Sequence, residues 1–364
     1  MRYVVIFLGV SVCSFCILLG QSSGAQNSVV AVDTIHVGVR ADAAPFSYRT
    51  ESSPSASLDD YRGYVIELCK EVLAEVIKSA PFKDAQLTAK EVDAGGRFSP
   101  LRLNGDVDLL CGPTSATADR LDSFLISLPI YLTGATVASL NLRSEGGSYP
   151  ESLYCRSIVG YVANTTSENP GLSILASEGR FDRFSPAIDH FLKQLDVNQD
   201  GTFSKASLEA LAGLTLPDSM HENICAGAFL SAPIRRFDSH IKGLAAFCNE
   251  EILYYVADVD IIADYLRKNA AECAAYLDRK VAFIEQYAIF FRTVTVQDVE
   301  SGNAKLEDLL RSQLLYSSFN QALMRLSRLD SGVFERAYSR EFGKDRPRTS
   351  ALEDFFRSLS YGLR

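Results

Sequence analysis

The chain has no tryptophan, three methionines and four histidines in 364 residues, and its 36 Lys and Arg are outnumbered by 45 Asp and Glu, for a net charge of −9. That balance argues against a general nucleic-acid binder, which needs a basic face to replace phosphate counterions. Glycine (23) and proline (12) are too sparse for a fibrous chain, and 47% hydrophobic residues are too many for a disordered one. Beyond the first twenty residues no stretch is apolar for long enough to span a bilayer. What is left is a globular composition, long enough to bury a large core and to divide into two domains.

The first residues read as a leader. Arg2 is the only charge before an apolar run from Tyr3 to Gly20, and Ser23-Gly24-Ala25 offers small residues at a cleavage site before Gln26. This is the pattern of a secretory signal peptide over residues 1–25; the other reading is a retained membrane anchor. Export makes the six remaining cysteines, Cys69, Cys111, Cys155, Cys225, Cys248 and Cys273, candidates for disulfides. Six allow 15 pairings, and the sequence chooses none of them. Buried free thiols are the alternative. There is no CxxC pair and no histidine cluster to make them metal ligands.

Strand and helix signals alternate. Ile35–Val39 alternates as a strand, Gly63–Ser79 places Val65, Leu68, Cys69, Val72, Leu73 and Val76 at helical spacing, Thr88–Val92 is a second strand, Ser99–Leu103 a short helix and Val107–Cys111 a third strand. A second set starts at Ser157–Val162 and continues with a strand at Ile252–Val256 ending at Ala257-Asp258, a helix at Ile261–Lys268, an extended segment at Val281–Phe291 and a long helical stretch from Leu306 to Ala337. This order predicts two α/β lobes with parallel sheets, and ligand-type loops beyond the carboxyl ends of the strands.

An ordered set of segments resembles the bacterial periplasmic amino-acid-binding proteins, solute-binding family 3. It runs from Gly38-Val39-Arg40 through Pro45-Phe46 and Gly63–Cys69 to Asn104–Arg120, then Glu251–Asp258, Glu285–Ile289 and Ser331–Gly343. The resemblance implies a two-lobe, type II binding protein of the α/β class, with lobe I at 26–140 and 288–364 and lobe II at 141–287. The hinge is expected near Ala138–Ser157 and Phe283–Phe291.

A zwitterionic amino acid needs a cation for its carboxylate, an anion for its ammonium, and neutral donors besides. Arg120 can grip a carboxylate through two parallel bonds, and Asp258 at a strand end can take the ammonium. A helix starting near Thr117 would add amide donors at its positive end. The alternatives are a surface arginine and a helix N-cap. The resemblance adds Ser115 and Thr166 as hydroxyls beside the same carboxylate, and Arg40 as the holder of an acidic side chain, which points to glutamate or aspartate; the alternatives are capping hydroxyls and a solvated loop arginine. The chain departs from the family at Ala43, where many relatives carry an aromatic lid that Phe46, Tyr48 or Phe98 could replace, and at Asn164, which stands for a common glycine.

The 92 positions from Thr166 to Asp258 exceed the expected spacing, which predicts an α-helical insertion at approximately 170–237. Within it Asp196-Val197-Asn198-Gln199-Asp200-Gly201-Thr202-Phe203-Ser204 follows the first nine places of an EF-hand loop. Asp196, Asn198, Asp200, the Thr202 carbonyl and Ser204 are the candidate ligands of a structural calcium. Place twelve is Ser207 rather than glutamate, and the alternative is a turn with capping side chains.

The reading that follows is an extracytoplasmic, monomeric receptor, periplasmic or otherwise secreted. It closes on an amino acid and presents it to an ABC permease in the inner membrane. An enzyme on the same fold, such as a dehydratase using Asp42, Glu67 or Glu168, and a stand-alone sensor module are the competing readings.

Overall fold

The computed structural model describes residues 31–50, 57–140, 159–181, 192–199, 202–213, 234–329, 332–343 and 350–361. The leader at 1–25, Cys155, Cys225 and Asp200 lie outside them, as does much of the expected insertion. Among the described residues no helix is long and apolar enough to cross a membrane.

Two five-stranded sheets organise the chain. In the first, Thr34–Val39 lies between Gln86–Glu91 and Leu109–Leu110 and runs parallel to both, while Phe290–Phe291 pairs antiparallel with Leu109–Leu110 and with Leu125–Ile126. The helix Tyr64–Val76 packs its predicted stripe inward: Val65, Leu68, Cys69, Val72, Leu73 and Val76 are all buried, each contributing about 1.5–3 kcal/mol for a full-sized side chain. It starts at Gly63, whose φ of 119° lies in the left-handed region, and a Cβ there would meet the Phe46 carbonyl carbon and oxygen at 2.3 Å, so only glycine fits. The long helical stretch is two helices, Leu306–Leu329 and Gly332–Phe342.

In the second sheet Val159–Val162 runs parallel to Ile234–Phe237 and Tyr254–Asp258, and Ala135–Leu140 lies antiparallel to Tyr254–Asp258 and to Ala275–Leu277. This corrects two boundaries. The first crossing lies near residue 134 rather than 140, because Ala135–Leu140 belongs to the second sheet. The insertion stops short of 237, because Ile234–Phe237 is a strand of that sheet. Between them the helices Leu172–Ser177 and Lys205–Gly213 are described.

The two crossings form one short ribbon. Tyr131–Thr133 pairs antiparallel with Glu285–Tyr287, setting Tyr131 opposite Tyr287 and Thr133 opposite Glu285. Phe46 meets Tyr131 and Tyr287 edge-on at 4.9 and 5.0 Å between ring centroids, and Phe342 stacks on Tyr131 at 6.0 Å. This aromatic cluster fixes the ribbon against lobe I.

Disulfides join Cys69 to Cys111 and Cys248 to Cys273, two of the pairings that the sequence left open. The first ties the core helix to the end of a central strand; the second ties the helix His240–Cys248 to the turn before Ala275–Leu277.

Candidate functional site

The carboxyl ends of the strands carry several of the expected residues to the neighbourhood of the ribbon. Ser115 follows Leu109–Leu110 and bridges to Tyr287, and its loop is strapped to the ribbon by the Ala116 N–H on the Gln286 carbonyl and the Ala288 N–H on the Thr114 carbonyl. Thr166 comes from lobe II, in the turn after Val159–Val162. Asn164 in that turn has a φ of 58°, a conformation that asparagine tolerates better than most residues, so the glycine of relatives is replaced at small cost. Its N–H donates to Glu168 Oε2 at 2.7 Å.

Ser115 and Thr166 meet across the lobes, 3.4 Å between hydroxyl oxygens, and both donate to one acceptor, Oε2 of Glu285: Thr166 at 2.8 Å and Ser115 in a shorter contact. Asp258 ends its strand in the same place. It does not cap the helix Val259–Lys268 with its side chain; its Oδ2 instead accepts the Tyr287 hydroxyl. Asp258 Oδ1 and Glu285 Oε1 are buried and have no hydrogen-bond partner among the described residues. Burial, joined by the charge of Glu285, raises the Asp258 carboxyl well above the carboxylate range. Burial also raises that of Glu285, against the opposing pull of its two hydroxyl donors and of Arg120.

Arg120 lies on the single helical turn Ala118–Leu121, which is too short to offer the amide array expected of a longer helix, and the Thr117 side chain makes no cap. Its Nη1 donates to the Ser115 carbonyl at 2.7 Å and its guanidinium lies 5.0 Å from the Phe98 ring centre. Arg97, buried, lies 4.7 Å from the same ring and donates to the Ala94 carbonyl; its Nε has no partner among the described residues. Phe98 thus packs against both arginines, while Phe46 is in the core and Tyr48 donates to Glu341 Oε2 at 3.0 Å.

Arg40 is buried at 3% exposure but is spoken for. Its Nε and Nη2 donate to Asp42 Oδ1 and Oδ2 at 2.9 and 2.8 Å, a bidentate pair. Asp42 Oδ2 also accepts the His240 N–H at 2.9 Å, from the first residue of a lobe II helix, so the pair bonds the two lobes directly. Burial alone would raise the Asp42 carboxyl, but Arg40 and His240 hold it at about 2. The geometry therefore counts against Arg40 as a free holder of an acidic side chain.

The carboxylates considered for catalysis have structural partners. Asp42 has Arg40, Glu67 has Arg340 at 2.9 Å, and Glu168 has Arg236 at 2.9 Å. Sequence reading missed Arg97, Glu285 and Tyr287. The last two sat in a segment read as a hinge crossing, where strand alternation puts positions 285 and 287 on one face.

In the EF-hand-like loop, the Ser204 N–H donates to the Asp196 carbonyl at 2.9 Å and the Asn198 N–H to the Thr202 carbonyl at 2.7 Å, closing the loop through a Val197–Phe203 bridge. Asn198 Nδ2 donates to Thr202 Oγ1 at 2.9 Å, and Ser207 Oγ donates to the Asp196 carbonyl at 3.0 Å. Place twelve thus serves the loop's own closure and adds no carboxylate. Among the described residues no group of three His, Cys, Asp or Glu is arranged to hold a metal.

Comparison with solved structures places this architecture. An ancestral arginine-binding protein bound to glutamine is 16% identical, with 86% of this chain and 99% of that one covered and a TM-score of 0.50. ArtJ from Geobacillus stearothermophilus, an arginine-, lysine- and histidine-binding protein, is 16% identical over 88% and 99% of the two chains at a TM-score of 0.52. A histidine-bound ABC uptake transporter substrate-binding protein from Streptococcus pneumoniae is 13% identical over 87% and 95% at 0.51. At these identities the likeness is one of fold. No curated protein matches the sequence. The family model for bacterial extracellular solute-binding proteins, family 3, matches residues 35–328, and the chain belongs to that family.

Proposed function

We propose that the protein is an extracytoplasmic receptor that captures a small amino acid between its lobes and delivers it, as a monomer, to an ABC permease. One observation carries this reading: hydroxyls from both lobes, Ser115 and Thr166, converge on a single carboxylate oxygen, with Asp258 beside them. The seat suits a carboxylate because it holds one. The solute's carboxylate takes these hydroxyls and the cation of Arg120, with Arg97 adding charge to the same wall; its ammonium takes the unpartnered Oδ1 of Asp258. The solved structures of similar fold are named for amino acids, which supports the class without choosing a member.

A preference for glutamate or aspartate requires Arg40 to exchange Asp42 for the solute. Calorimetric titration with the twenty amino acids tests both levels. Binding of one of them supports the receptor, and silence to all of them contradicts it. If the bound solute is acidic and Arg40→Ala leaves the selectivity unchanged, the role of Arg40 is wrong.

A structural calcium at Asp196, Asn198, Asp200, the Thr202 carbonyl and Ser204 is a further part of the reading. It is supported by the oxygen spacing and by the way the loop closes on itself, and weakened by the missing glutamate. A chelator is expected to lower the melting temperature by a few degrees, an effect that Asp196→Ala removes. An unchanged melting curve identifies a plain turn.

A further inference from the structure

The seat that the solute's carboxylate should take is filled by the protein itself. Glu285 is 4% exposed and stands on the ribbon that joins the lobes. Its Oε2 accepts the lobe I hydroxyl of Ser115 and the lobe II hydroxyl of Thr166. We propose that Glu285 is an intramolecular occupant of the carboxylate seat, drawing the lobes together without solute, and that an amino acid binds by displacing it. The displacement step rests on the receptor reading above; the lobe-joining step does not.

Each hydroxyl has one proton to give. Both are spent on Glu285, so a solute carboxylate and the Glu285 carboxylate cannot be served together. The exchange is close to even, since hydroxyl-to-carboxylate bonds are lost and formed in equal number. What the solute adds is its ammonium, which meets Asp258 Oδ1, the buried oxygen that Glu285 cannot satisfy. Glu285 Oε1 is likewise left without a partner, so the internal occupant fills the seat less completely than a ligand that can engage both of its oxygens. Arg120 bonds the Ser115 carbonyl and acts on Glu285 only through its field, with no ion pair between them among the described residues, so a direct bond from its guanidinium is something a solute can add. If the seat is free in only about 1–10% of molecules, the apparent affinity is weakened roughly 10- to 100-fold.

The test compares the wild type with Glu285→Ala and Glu285→Gln by two measurements. The first is titration with the twenty amino acids and with their carboxamides, which lack the free carboxylate; the second is small-angle scattering of the solute-free proteins. The proposal expects Glu285→Ala to bind the same amino acid roughly 10- to 100-fold more tightly, Glu285→Gln to fall between, and solute-free Glu285→Ala to be more expanded than the wild type. Unchanged or weaker amino-acid binding in Glu285→Ala overturns it, the latter making Glu285 a contact of the bound solute. Carboxamide binding as tight as amino-acid binding in the wild type overturns it too, because Glu285 is then a fixed part of the site. If neither protein binds any amino acid, the receptor reading fails and scattering decides: expansion in the variant keeps Glu285 as the link between lobes, and identical curves remove it.

Discussion

Asp258→Ala is expected to weaken amino-acid binding by roughly thirtyfold or more in calorimetric titration while leaving the melting temperature of the solute-free protein unchanged or raised. Both halves follow from the same geometry. Asp258 is buried, one of its oxygens has no partner, and the charge of Glu285 opposes its own ionisation. In the free protein such a group costs stability, so its removal relieves the fold. With an ammonium bound, Asp258 becomes half of a buried ion pair, and truncating one side of such a pair costs about 2–5 kcal/mol. A mere capping residue gives the opposite pattern, a lower melting temperature with unaltered binding. Measuring both quantities on one variant therefore separates the two roles.

The second large effect concerns the Cys69–Cys111 bridge. It closes a loop over a sequence separation of 42. In the chain-entropy account this constrains the unfolded state by about 4 kcal/mol. Cys69 is in the buried face of Tyr64–Val76, so removing the bridge also loosens packing against the central sheet. The double variant Cys69→Ala/Cys111→Ala is expected to melt roughly 5–6 °C below the wild type under non-reducing conditions. A strong reductant, which also opens Cys248–Cys273, should bring the wild type to or below the variant's melting temperature. Equal melting temperatures with and without reductant would show that the thiols are not joined. Loss of this bridge leaves the solute seat intact, so binding to folded protein should survive it.

Much of the fold was legible because its signals are local. The helical stripe from Val65 to Val76 and the alternation at Ile35–Val39 need only periodicity, and both elements form, the strand at Thr34–Val39. The boundary near residue 134 was not legible: Ala135–Leu140 is buried throughout, and only its pairing with Tyr254–Asp258 assigns it to lobe II. Of the candidate site, Ser115, Thr166, Arg120 and Asp258 could be named from the sequence because each lies at or after a strand end, and the structure brings them near one another around Glu285 and Tyr287. Arg40 was placed correctly but its company was not, since the partnership with Asp42 and with the start of a lobe II helix depends on tertiary approach. Glu285 was within a quoted segment and still escaped notice, because a carboxylate in a carboxylate seat has meaning only once the two hydroxyls are seen to reach it.

The central claim is that an amino acid lies where the lobes meet over Asp258. A crystal structure of the protein with the amino acid identified by titration tests it most directly. The account predicts the ammonium on Asp258, the carboxylate on Ser115, Thr166 and Arg120, and Glu285 turned away from both hydroxyls. A solute bound anywhere else, or bound with Glu285 still holding those hydroxyls, contradicts it.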